Sequence, residues 1–160
     1  MLRDQAIYNT HPLVKTILDG VTALDALGNV VVINEGVVVI ELERLMLTTT
    51  RAKKLKYVNA EADKHFNLIL APYPQHEINT WPNQYAEAWA LKSDPLAYTP
   101  TLNSLALNYG KAVALLAQDV LAKAAAYTVI SGEIIGKRKK LTDQVMAATK
   151  VAEMEAITWI

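Results

Sequence analysis

The chain has 160 residues, 16 basic and 16 acidic side chains and no cysteine, which excludes disulfides, thiolate nucleophiles and cysteine-based zinc sites. A chain of this length buries roughly 68–70% of its unfolded surface and holds one domain without a covalent staple. Zero formal net charge gives no field to gather nucleic acid, and 52% hydrophobic residues fit a protein kept soluble inside a larger assembly.

At the start of the chain, Asp4 and Gln5 interrupt any apolar run, so no signal peptide is expected. Residues 1–34 read as a short β-rich segment. Gln5–Asn9, Leu13–Leu18, Val21–Asp25 and Val30–Ile33 are the candidate strands, divided by His11-Pro12, Asp19-Gly20 and Gly28-Asn29. The last two strands are spaced for a hairpin across Ala26–Asn29. So little β structure closes no core alone and must lean on helices or on another chain. Val30–Ile40 is the most apolar stretch, but Asn34 and Glu35 divide it and it is too short to span a bilayer. No membrane partner is expected.

Residues 35–160 read as a helical domain. Val37-Val38-Val39-Ile40 has strand propensity, yet Asn34 is a good N-cap and the pattern runs on without a break. Leu45, Thr49, Ala52, Leu55, Val58, Ala62, Phe66 and Ile69 recur at steps of three or four, predicting a helix over 35–70 with a weak point at Thr48-Thr49-Thr50. Ala71-Pro72-Tyr73-Pro74 ends it. A helix over 75–92 then places Ile78, Trp81, Tyr85 and Trp89 on one face, the natural floor for other helices. Pro82 either lies in a first turn behind Thr80 or kinks a helix already running.

Thr99-Pro100 starts a short helix over 100–108, stopped by Gly110. A second long helix over 111–148 has the stripe Val113, Leu116, Val120, Ala124, Tyr127, Ile130, Ile134, Leu141 and Val145. Gly132 and Gly136 share one face. The helix carries too many charges for a membrane dimer face, which leaves close approach of another helix or a soft point. A last helix over 150–158, capped by Thr149, ends in Ile157, Trp159 and Ile160, three apolar groups expected to dock. The fold class is mainly α: an antiparallel helical bundle with long helices, preceded by the small β-rich segment. Its expected core is Tyr73, Ile78, Trp81, Tyr85, Trp89, Leu116, Val120, Ile134 and Trp159.

Chemistry is sparse. His11 precedes a proline, His65 lies on a helix face, and His76 has no second ligand at metal-site spacing. No HExxH, GxSxG, P-loop or GxGxxG occurs. Glu61 and Asp63 diverge on a helix, Glu87 reads as solvated or salt-bridged, and Lys137–Lys140 as a solvated face. No catalytic residue, metal or cofactor is expected. The aromatic face could instead stack sugars or bases, but helical spacing favours core.

Several rare residues recur in an order that resembles a known group. Tyr73-Pro74, Glu77, Thr80-Trp81, Gln84, Glu87-Ala88, Thr99-Pro100-Thr101-Leu102, Gly136 and Ile157-Thr158-Trp159 together resemble the helical part of tailed-bacteriophage tail proteins and tail fibre assembly proteins. The resemblance covers most of residues 50–160 and, more loosely, residues 10–35. Leu107-Asn108-Tyr109-Gly110 departs from it, standing where the group has Arg-Gly.

That resemblance implies tail or fibre assembly rather than catalysis, with a tail fibre or baseplate subunit as partner. The chain would act as an assembly chaperone or adaptor in the host cytoplasm, or stay in the virion tail. The alternative is a self-associating homo-oligomer, a stalk built on the 35–70 helix. The β-rich segment and that helix are the expected contact region, with Ile7, Leu13, Val14, Val30, Val32, Val37, Ile40 and Leu45 as partner-binding residues.

Overall fold

The computed structural model describes residues 1–18 and 21–160; the turn signal at Asp19-Gly20 lies outside the described residues. The protein is mainly α, 71% helical. The elements are α1 (Leu2–Thr10), β1 (Thr16–Leu18), β2 (Thr22–Leu24), α2 (Glu35–Leu70), α3 (Gln75–Ile78), α4 (Trp81–Ser93), α5 (Pro100–Tyr109), α6 (Val113–Ala147) and α7 (Val151–Glu155). They form two compact units, one of Met1–Asn59 with Lys140–Ile160, the other of Ala60–Lys139. This division differs from a boundary at residue 34, because the N-terminal segment packs directly on the start of α2.

In the first unit the expected strand over Gln5–Asn9 is instead the middle of α1. Only Ile7 there is β-branched, and the helix turns Ala6 and Ile7 inward. The expected 21–25/30–33 hairpin is reduced to one bridge, Leu24 to Val30. The regular ladder pairs β1 with β2 antiparallel, Ile17 opposite Ala23. Asp25 organises the next turn, accepting hydrogen bonds from the Leu27 and Asn29 backbone N–H groups at 2.8 and 2.9 Å. The bond from the Asn29 side chain is the main cause holding the Asp25 carboxyl below its ordinary pKa.

The valine run is helical. Asn34 Oδ1 accepts from the Val37 N–H at 3.3 Å, so the capping context outweighs β propensity. The backbone N–H of Asn34 in turn donates to His11 Nε2 at 3.0 Å, a structural use of that histidine. The three threonines do not break α2; Thr48 Oγ1 donates to the Arg44 carbonyl one turn back. Ala6, Ile7, Val14, Ala23 and Val38 form the buried centre here, with Ile17, Leu42 and Leu45 packed around it. Glu41 ties α1 to α2 by accepting from Asn9 Nδ2 at 2.6 Å and pairing with Arg44.

A second cluster in this unit joins Val58, Leu141 and Val145, with Ile157 and Trp159 closing over it. The last helix is shorter than expected and stops at Glu155 because α2 takes over the chain end. Lys54 Nζ donates to the carbonyls of Glu155 and Ile157, and Tyr57 Oη accepts from the Trp159 N–H at 3.1 Å. Thr149 caps nothing with its own hydroxyl at this end. Glu153 does the capping, accepting from the backbone N–H groups of Thr149 and Lys150, which holds its carboxyl below the ordinary range. Ile157 and Trp159 dock as expected, whereas Ile160 is exposed.

The second unit breaks the expected 75–92 helix in two. Asn79 and Thr80 separate α3 from α4, and Pro82 sits in the first turn of α4, where its missing N–H costs nothing. Ile78 therefore does not share a helix with Trp81. The core joins Ala88, Leu102 and Ala117, with Leu91, Leu116 and Val120 packed against it. Gly110 closes α5 at φ 70°, a left-handed cap that glycine adopts without strain.

Candidate partner-binding surfaces

The aromatic face is only half the floor that its spacing predicts. Trp81 is partly buried, with Tyr73 and Tyr127 meeting it edge-on at centroid distances of 5.1 and 6.2 Å. Tyr85 and Trp89 are instead 44% and 45% exposed and touch each other, with Lys92 Nζ 4.4 Å above the Trp89 ring. The break before Trp81 re-aims the stripe, so its C-terminal half turns outward. Tyr73 and Ile78 are half-buried, as are Leu116, Val120 and Trp159, while Ile134 is buried.

Glu87 is neither solvated nor salt-bridged in the expected sense. Its two carboxylate oxygens accept from the N–H groups of Thr101 and Leu102 at 3.2 and 2.8 Å, capping α5 from α4. Pro100 has no N–H, so these are among the first donors that α5 has to satisfy. Thr99, the expected cap, is buried and its hydroxyl finds no partner among the described residues. Ala88 and Leu102 are fully buried beside this cap. Glu87-Ala88 and Thr99-Pro100-Thr101-Leu102 are thus one structural joint.

Among the described residues no three His, Asp or Glu side chains gather in a way that could hold a metal ion. An open groove of about 570 Å³ runs between the end of α4 and the start of α6, lined by Leu91, Lys92, Pro95, Val113, Ala117 and Leu121. Its walls are mostly apolar, with Lys92 and Gln118 as the polar lining.

The residues expected to bind a partner fall into two groups. Ile7 and Val14 are buried and Leu45 is half-buried, all in the N-terminal core. Ile7 and Val14 hold the segment to α2 and are not available at its surface, and Leu45 packs against that core from α2. Leu13, Val30, Val32, Val37 and Ile40 are exposed, Leu13 by 71% and Val32 by 87%. The same stretch also exposes Leu18, Val21, Leu27, Val39 and Met46, which the sequence reading passed over. Leu18 stands on the outward side of β1, Leu27 lies in the turn after β2, and Val37, Val39, Ile40 and Met46 lie on the outer side of α2.

A second apolar surface lies on α6, where Leu115, Val129, Ile130 and Ile135 are exposed. A Cβ added at Gly132 or Gly136 would meet nothing within 4 Å, which removes the expectation that another helix of this chain approaches there. By length and composition alone, α6 could cross a membrane: its most apolar window has a mean hydropathy of 1.5, no more than two charges, and is 6% buried. That window is less charged than the whole-helix reading implied.

A family described as the HI1402 helical domain matches residues 122–159, under half of the chain. The matched stretch takes in most of α6, all of α7 and the docked Trp159. No curated protein and no solved structure matches this chain.

Proposed function

We propose that this chain is a tail-associated protein of a tailed bacteriophage that binds a tail fibre or baseplate subunit, as an assembly chaperone or adaptor, without a catalytic role. The observation that carries this reading is the exposed apolar surface of residues 13–40, built on a segment whose own inward side chains already fill a core. Contiguous exposed apolar surface on a folded unit marks an interaction site. The resemblance of Tyr73–Trp89, Thr99–Leu102 and Ile157–Trp159 to tail and fibre assembly proteins supplies the class of partner. The chain would meet its partner in the host cytoplasm during assembly, or remain beside it in the virion tail.

Co-expression with the tail fibre or baseplate subunit encoded beside it tests the proposal. A stable mixed complex is expected, lost in a Leu13→Asp/Val32→Asp variant whose circular dichroism is unchanged. A chain that forms no complex with either subunit, whatever its own oligomeric state, removes the proposal.

A further inference from the structure

The outer face of α6 has a charge order that depends on direction. Asp119, Lys123, Ala126, Ile130, Glu133 and Lys137 follow at steps of four and three, which is the seam spacing of paired helices. Lys123, Ala126 and Glu133 are exposed, and Ile130 is 41% exposed. Among the described residues neither Lys123 nor Glu133 forms a salt bridge. The face therefore holds two ion-pairing groups of opposite sign on either side of a small and a large apolar residue.

We propose that two copies of this chain pair antiparallel through this face of α6. A twofold axis level with Thr128 sets Ala126 of each copy against Ile130 of the other, and Lys123 against Glu133, each contact made twice. The next positions outward, Asp119 and Lys137, are engaged within their own chain, Asp119 by Lys111, and add nothing to the pairing. A parallel pairing would set Lys123 on Lys123 and Glu133 on Glu133, so charge selects the antiparallel arrangement. Ala126 facing Ile130 lets the axes approach within the roughly 8–10 Å of packed helices. The contact from Lys123 to Glu133 runs about 15 Å along the helix at 1.5 Å per residue. It lies away from residues 13–40 in sequence and does not depend on fibre binding.

Sedimentation equilibrium of the full chain over a range of concentrations tests the pairing. The wild-type chain is expected to sediment as a dimer. Lys123→Glu and Glu133→Lys each replace two attractive contacts with two repulsive ones and are expected to raise the dimer dissociation constant about tenfold or more. The double variant Lys123→Glu/Glu133→Lys restores the pairing only if the helices run antiparallel. Both side chains are exposed, so circular dichroism should be the same for all four proteins. A wild-type monomer, a dimer indifferent to the single reversals, or a double variant as weak as the singles would overturn the proposal. So would a monomer that instead floats with phosphatidylcholine–phosphatidylglycerol vesicles through its apolar helix.

Discussion

The two units use apolar residues differently. In the unit spanning residues 60–139, the α4–α5 joint directs Ala88 and Leu102 fully inward and fixes them with a carboxylate cap. In the other unit, residues 13–40 direct more apolar groups outward than inward. A capped helix pair has one closed arrangement, because every group at the joint is either packed or hydrogen-bonded. A thin ladder on one helix has only one side to cover. Apolar residues on its other side have no neighbour within the unit, and that is where a partner gains most.

The contrast is broken most directly at Leu102. Truncating this fully buried side chain to Ala should cost about 2–5 kcal/mol by lost transfer energy and the cavity left behind. Urea unfolding of Leu102→Ala would read this as a large fall in midpoint. A change below 1 kcal/mol, on the order of a surface substitution, would show that the α4–α5 core collapses around the gap.

The cap at the same joint should matter less. Glu87→Ala leaves the N–H groups of Thr101 and Leu102 without their acceptors and should cost about 0.5–2 kcal/mol. Glu87→Gln keeps one acceptor oxygen and should lose part of that. Equal losses in the two variants would mean that the carboxylate charge at the helix N-terminus, not the pair of hydrogen bonds, is what stabilises α5.

These two residues also show where the sequence was readable. The long helices were plain from their three-and-four periodicity, and the α5 boundaries from Thr99-Pro100 and Gly110, because those signals are local. Glu87 was not readable as a cap, since its acceptor role depends on a helix 14 residues onward being folded against it. Gln5–Asn9 has one β-branched residue, too little local preference to decide its state, and the packing of Ala6 and Ile7 makes it helical. At Asn79-Thr80 the periodicity of the aromatic residues carried across a break that proline chemistry had already offered as one of two choices. The surface was half legible: which apolar residues lie in a thin sheet is a matter of pattern, but which side faces α2 is a matter of register.

Acid should loosen the first unit from the α1 side. The Arg44 hydrogen bond, then that of Asn9, holds Glu41 down to about 2 from an ordinary value of 4.5. Because the folded pKa is depressed, the stability this carboxylate contributes is full above about 4.5 and is lost as pH falls toward 2. Hydrogen exchange of the α1 amides, taken relative to the intrinsic rate at each pH, should accelerate through that window in the wild type. In Glu41→Gln the acceleration should be present already at neutral pH and change less with acid. A wild-type profile flat between pH 4.5 and 2 would show that Asn9 and Glu41 do not tie α1 to α2 in solution.

The smallest expected effect carries the comparison furthest. Val32→Ser and Leu13→Ser alter side chains that are 87% and 71% exposed, and each should change the unfolding free energy by no more than about 0.5 kcal/mol. Val14→Ser, one residue from Leu13 but buried, should be strongly destabilising, since it places a hydroxyl in the N-terminal core. Urea midpoints of the three variants measure the difference between adjacent inward and outward positions. If Leu13→Ser and Val14→Ser lost similar stability, Leu13 would already be covered in the isolated chain, and the surface assigned to a partner would have to be sought elsewhere.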